Sequence, residues 1–121
     1  GQLDVVIMNR VEAQFYQAFF SNPAYQRLTK IITKGADGLD LILPDGACQS
    51  FPAFEVPSLS SHGAGDVFVG ALAAQRLAQI PWEPALRYAQ AAAALHVATP
   101  RHQRSEITPS DIKALIQNSA L

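Results

Sequence analysis

Ser60-Ser61-His62-Gly63-Ala64-Gly65-Asp66 runs without a break into Val67-Phe68-Val69-Gly70-Ala71-Leu72-Ala73-Ala74, and the reading of this junction decides the fold. Two glycines two residues apart, followed at once by an apolar, alanine-rich run, predict a turn that opens a helix. The first N–H groups of such a helix have no intrahelical partner and point into the turn. Gly63 and Gly65 lack a Cβ, so an anion can approach the backbone closely and meet the positive end of the helix dipole. Asp66 falls in the first helical turn. A carboxylate there either complements the dipole or acts as a general base beside a phosphate held by the turn, and the junction alone leaves both readings open.

Downstream, the alanine-rich run predicts a buried helix over Asp66–Gln79, ended by Pro81-Trp82-Glu83-Pro84. A second helix over Glu83–Val97 carries Ala85, Ala89 and Ala91 to Ala94, small residues that permit close packing. Gln90 and His96 are its polar exceptions and read as satisfied structural residues. Thr99 to Ser105 is a polar, basic stretch in which Arg101, His102 and Arg104 read as a solvated loop with a phosphate neighbour as the alternative. Thr108-Pro109-Ser110-Asp111 then opens a last helix over Pro109–Asn118 with a cap, a proline at the first helical position and an acid at the third.

Upstream, Leu3 to Met8 is an apolar run that predicts a strand over Asp4–Met8. Asn9 and Glu12 follow, and Val11, Phe15, Ala18 and Phe19 recur at helical spacing, predicting a helix over Arg10–Ser21. Asn9 with an acid three residues on is a capping box. The same pair at the carboxyl end of a strand can also hold hydrated Mg²⁺ near a nucleotide's phosphates. Strands over Lys30–Lys34, Leu39–Leu43 and Cys48–Phe51 are separated by Gly35-Ala36-Asp37-Gly38 and Asp45-Gly46, which predicts two hairpins in a meander. Thr33, Gly35 and Gly38 put a hydroxyl and bare backbone at a strand end, where a purine or ribose can lie. Pro52, Pro57 and several serines lead back to the glycine turn through Phe54-Glu55-Val56, read as a short edge strand.

The 121 residues are 49% hydrophobic and 16% charged, with nine Lys+Arg against ten Asp+Glu, a balance that fits a single soluble domain. A formal net charge of −1 supplies no basic field for nucleic acid or an anionic membrane surface. The apolar runs are too broken to span a bilayer, and the lone Cys48 cannot form an internal disulfide, so a reducing, cytoplasmic setting is expected. Gly1 stands within a few residues of the first strand, which predicts that the chain is a piece of something longer. No Cys/His cluster has metal-ligand spacing.

Asn9-x-x-Glu12, Thr33-x-Gly35-x-x-Gly38 and Gly63-Ala64-Gly65-Asp66 before an alanine-rich helix occur in one order, and Ala85 to Ala94 completes the pattern. Together they resemble the C-terminal half of the ribokinase-like (PfkB) carbohydrate kinases. The resemblance implies an α/β fold, a layered sheet with flanking helices, with residues 1–121 forming the nucleotide-binding portion. It further implies an ATP- and Mg²⁺-dependent kinase that phosphorylates a hydroxyl of a sugar, nucleoside or related small alcohol. Asp66 would take the proton from that hydroxyl, and the amides of Gly63, Ala64 and Gly65 would stabilise the transferring phosphoryl group. Asn9 and Glu12 match the motif tied to the phosphates and the metal, with Glu12 on the Mg²⁺ side. Thr33, Gly35 and Gly38 match the nucleotide-binding turn, and Gln90 falls where relatives touch adenosine.

The family's partners are then the small-molecule substrate and the missing N-terminal half, whose place an exposed apolar flank of the sheet should mark; a homodimer is left open. Two positions depart from the pattern. Ser60-Ser61-His62 stands where Asp-Thr-x is common, leaving open the monovalent cation that the Asp helps to bind, and Arg101 stands where a glycine is usual. The alternative function is a non-catalytic nucleotide-binding or interaction module derived from the same fold. The chain taken alone is expected to be inactive, since the sugar-binding half is absent.

Overall fold

The computed structural model of the chain describes residues 5–17, 27–60 and 62–119. They fall into two units, Gly1–Ala53 and Phe54–Leu121. In the first unit, β1 (Val5–Asn9) runs straight into α1 (Arg10–Phe15), and β2 (Thr29–Thr33), β3 (Leu39–Ile42) and β4 (Cys48–Phe51) follow. The sheet order is β1-β2-β3-β4. β1 lies parallel to β2, as a strand–helix–strand crossover requires, and the other pairs are antiparallel. The expected α/β class and meander are both present, with strand ends within one residue of expectation among the described residues. Asp4 lies outside those residues, as does the end of the helix expected to reach Ser21, together with Ala18 and Phe19.

Period-two alternation builds the buried side of this sheet. Ile31 pairs with Leu41 and Leu39 with Phe51, and all four are buried. Among the described residues β1 is paired on one side only, with Val5, Val6 and Ile7 half-buried, while Val11 and Phe15 of α1 are 75% and 81% exposed.

Each hairpin turn is closed by the residues its geometry demands. Asp45 accepts the Ala47 N–H at 2.9 Å and Gly46 takes φ 90°. Between β2 and β3 a 3₁₀ turn, Gly35–Asp37, is bracketed by the Lys34 N–H donating to the Gly38 carbonyl at 2.7 Å. Gly38 is buried at φ 92°, and a Cβ there would run into the Phe51 carbonyl. Inside the hairpins, Asp40 faces Ser50 across the ladder, accepts its hydroxyl at 2.6 Å, and pairs with Lys34 Nζ at 2.9 Å.

The second unit is helical: α2 (Ala64–Leu77), α3 (Trp82–Ala98) and α4 (Pro109–Ser119). α3 packs against both neighbours. Its small residues make that possible: Ala85, Ala89 and Ala91 are fully buried and Ala92 nearly so. Phe54, Ala91, Ala92 and Ile112 form a core cluster, onto which Val67 and Ala71 of α2 and Leu115 and Ile116 of α4 pack. Phe54-Glu55-Val56 is not the expected strand. Pro52 and Pro57 remove two ladder donors, and the segment is held instead by Phe54 in the helical core, with the Arg87 guanidinium 4.0 Å over its ring. The expected basic loop is also ordered, forming a 3₁₀ helix over Arg101–Glu106. Thr108 and Asp111 cap α4 reciprocally, at 3.2 and 2.9 Å, as their spacing predicts.

The two glycines of the β2–β3 turn should respond differently to alanine. Gly35 has positive φ but open space, so Gly35→Ala should cost about 1 kcal/mol, the left-handed penalty alone. Gly38→Ala adds a backbone collision and should cost at least about 2 kcal/mol. Urea unfolding of the two variants checks this, and equal midpoints would be the contrary result. Asp40 makes a second case. The Ser50 hydroxyl first, then Lys34, holds its carboxyl below the ordinary 3.8. A lowered folded-state value means stability that is present in full above 3.8 and is lost as pH falls through the lower value. Asp40→Asn should therefore flatten the acid limb of a stability–pH curve below 3.8 while leaving its shape near neutrality unchanged.

Candidate functional site

In the first unit, register sets the site. Asn9 and Thr33 are Cα partners at the carboxyl ends of two parallel strands, the place where open α/β sheets bind ligands. Asn9 Oδ1 accepts the Glu12 N–H at 2.8 Å, and Glu12 Oε1 accepts the Asn9 N–H at 3.0 Å, a complete capping box. The Thr33 hydroxyl donates to the Met8 carbonyl at 3.4 Å, tying the two strand ends together. Asn9, Thr33 and Gly35 line one open cavity of about 330 Å³ with Arg10, Lys34 and Asp37. Gly38 closes the same turn from beneath, buried. The structure thus gathers Asn9, Thr33 and Gly35 at one crevice, which Glu12 and Gly38 do not line.

The sequence missed three residues there. Arg10 pairs with Asp37 at 3.1 Å and donates to the Lys34 carbonyl at 3.3 Å, bridging α1 to the 3₁₀ turn. Both partners are more than half exposed, so the pair orders the rim more than it stabilises the unit. A signal was available: a cation at the first position of a helix opposes the dipole and therefore implies an acid elsewhere.

The donor set decides what metal this crevice suits. Among the described residues no group of three or more His, Cys, Asp or Glu side chains converges as a metal cage. Glu12 offers one carboxylate, with Oε1 engaged by the cap. Glu12 stands beside the cavity and does not line it, and Asp37, which does, is paired with Arg10, so this sparse carboxylate set fits Mg²⁺, which keeps most of its waters and takes its remaining oxygens from phosphates.

In the second unit, Gly63 precedes α2 in the left-handed conformation, φ 81°, and no side chain caps the helix. The first-turn amides of α2 are therefore free of a capping side chain, with Gly65 opening onto space in which an added Cβ would meet nothing within 4 Å. Asp66 is exposed in that first turn. Ala64, the first helical residue, is half-buried.

Gln90 sits 9% exposed on α3, and its amide oxygen accepts from Arg87 Nη1 at 2.8 Å. Partial burial pulls the Arg87 guanidinium below its ordinary value, though an arginine stays charged at neutral pH. His96 and Arg104 contact the segment before the glycine turn. His96 Nε2 lies 2.9 Å from the His62 carbonyl, and Arg104 donates to the carbonyls of Thr99 and Ser60 at 3.1 and 3.2 Å. Arg104 is thus a structural cross-link where a solvated side chain was expected. Its partners are backbone carbonyls, which no residue-type pattern reveals.

The chain is similar to known proteins along most of its length. Residues 2–109 match the model of the pfkB family carbohydrate kinases. Over 89 residues, 74% of the chain, the sequence is 34% identical to 2-dehydro-3-deoxygalactonokinase of Haloferax volcanii, of which it spans 27%. Ribokinase from Thermotoga maritima superposes with a TM-score of 0.78 at 26% identity, over 95% of this chain and 42% of that one. Burkholderia thailandensis nucleoside kinase, solved with inosine, gives 0.82 at 25% identity, over 96% of this chain and 40% of that one. The chain therefore spans under half the length of each of these relatives. The family match covers most of the chain and both of the sites described above, and the chain belongs to the pfkB family of carbohydrate kinases.

Proposed function

We propose that the protein to which this chain belongs is an ATP-dependent kinase that phosphorylates a hydroxyl of a sugar, nucleoside or related small alcohol. One observation carries the reading: the left-handed Gly63 turn opens α2 without a side-chain cap, next to an exposed Asp66. A turn of that kind suits an anion whose charge grows during reaction, because its donors are oriented beforehand. The match to the carbohydrate kinases supports the acceptor being an alcohol.

In this mechanism Asp66 accepts the proton of the acceptor hydroxyl, whose oxygen forms a bond to the γ-phosphorus of ATP as the bond to the β-phosphate oxygen breaks and ADP leaves. The amides of Gly63, Ala64 and Gly65 hold the negative oxygens of the moving phosphoryl group. Mg²⁺, when bound, supplies charge neutralisation on the phosphates. Asn9 and Glu12 would hold the metal's water shell at the strand end, where the capping box fixes the orientation of both side chains. Thr33 and Gly35 offer a hydroxyl and bare backbone to the nucleoside, Gly38 shapes their turn from its buried position, and the family resemblance assigns Gln90 a contact with adenosine. The remaining part of the protein supplies the acceptor's binding groups and lies against the edge of β1 that is unpaired among the described residues. The exposed free Cys48 favours a reducing, cytoplasmic setting.

Two measurements test this reading. In the complete protein Asp66→Asn should lower turnover by about 10²–10⁴, the scale of general-base catalysis, and leave the affinity for ATP nearly unchanged. Wild-type turnover in that variant, with an unaltered melting curve, would make Asp66 a helix residue only. The 121-residue chain by itself should bind Mg·ATP weakly and phosphorylate nothing. Calorimetry, with amide shifts at Gly35 and Gly63, reads the first part; a folded sample whose amides stay fixed at high nucleotide removes the site.

A further inference from the structure

We propose that His96 and Arg104 are positioning residues of the glycine turn: together they clamp the carbonyls of His62 and Ser60 and so fix the direction of the Gly63 to Gly65 amides. The inference rests on reading those amides as the anion cradle.

The segment leading into the turn is laid along the end of α3. The N–H groups of Leu59 and Ser60 both reach the Val97 carbonyl, at 2.7 and 3.4 Å. Among the described residues no backbone N–H donates to the Ser60 or His62 carbonyl, and each accepts from a side chain instead. Arg104 answers one of them. Its guanidinium bridges Thr99 O and Ser60 O, so one planar cation joins the residue after α3 to the residue before the turn. A cation at that place also suits the negative end of the α3 dipole. His96 answers the other. A carbonyl only accepts, so Nε2 of His96 must carry the proton in the 2.9 Å contact with His62 O.

The imidazole does more than donate. An added Cβ on Gly63 would sit 3.1 Å from His96 Nε2, so the ring lies against the open face of the very residue that takes φ 81°. Glycine pairs are the loosest backbone a chain can offer, and a loose turn is a poor anion site because its amides must be ordered at each binding event. Two side chains from outside the turn, one on α3 and one on the 3₁₀ segment after it, remove that freedom in advance. The site thereby acquires rigidity from residues that never touch the phosphate.

The test uses four variants of the chain, His96→Leu, His96→Gln, Arg104→Ala and Arg104→Lys, and ¹⁵N relaxation of the Gly63, Ala64 and Gly65 amides measured without ligand. His96→Leu and Arg104→Ala should raise the mobility of those amides while α4 stays as rigid as in the wild type. His96→Gln and Arg104→Lys, which keep a donor, should restore most of the order, and added guanidinium ion should restore it in Arg104→Ala. Mg·ATP affinity should follow, falling by about fivefold in the two donor-less variants, as expected when one or two hydrogen-bonded supports are lost. Unchanged amide order in both donor-less variants overturns the proposal. So does a wild-type His96 whose ring proton sits on Nδ1 by ¹⁵N spectroscopy, a reading that needs no variant to fold. If order is lost as expected but the wild-type chain binds no Mg·ATP, the clamp stands and the nucleotide reading falls.

Discussion

Gly63 has to carry the chain through φ 81° at the point where it enters α2, and the open start of that helix depends on this one angle. A residue with a Cβ would pay a left-handed penalty there and press against His96. With glycine, the chain enters α2 without any side chain folding back over the first turn. The amides that a capping side chain would satisfy are then left for something else. The helices α1 and α4 take the opposite course: Asn9 with Glu12, and Thr108 with Asp111, close their ends reciprocally. α3, entered at Pro81, also has no side-chain cap, so what sets α2 apart is the left-handed glycine before its open first turn.

The first unit uses closure for a different purpose. Its capping box fixes an amide and a carboxylate side by side at the end of β1, opposite Thr33 of β2. The structure shows Asn9 and Glu12 as a capping box, and the proposed metal-holding role would use side chains that this box already orients. The hydrogen bonds that satisfy the backbone are the ones that orient the side chains. Similarly, Gly38 is required by the close passage of the Phe51 carbonyl, a packing constraint, while it also ends the turn that lines the crevice.

Much of the fold was legible because it rests on local rules. Strand alternation, Asp-Gly turns, proline stops and the two capping boxes each follow from residues within a few positions of one another. The elements that were misread share a different cause. Phe54-Glu55-Val56 has strand composition, yet its place is set by Phe54 entering a helical core and by prolines that deny it a ladder. Thr99 to Ser105 reads as a solvated loop, yet Arg104 finds two carbonyls, one of them 44 positions away in the chain.

By itself, then, the amino-acid sequence determined the four strands and the main helices, the order of the motifs and the family to which they belong, because period, turn chemistry and glycine placement are local properties of the chain. Only the tertiary structure decided what surrounds the glycine turn. His96 and Arg104 act on main-chain carbonyls, and a carbonyl is present at every residue, so nothing in the residue types marks Ser60 O or His62 O as their acceptors. The pairing exists because the end of α3 and the approach to α2 lie side by side, and that proximity arises from the packing of alanines along α3.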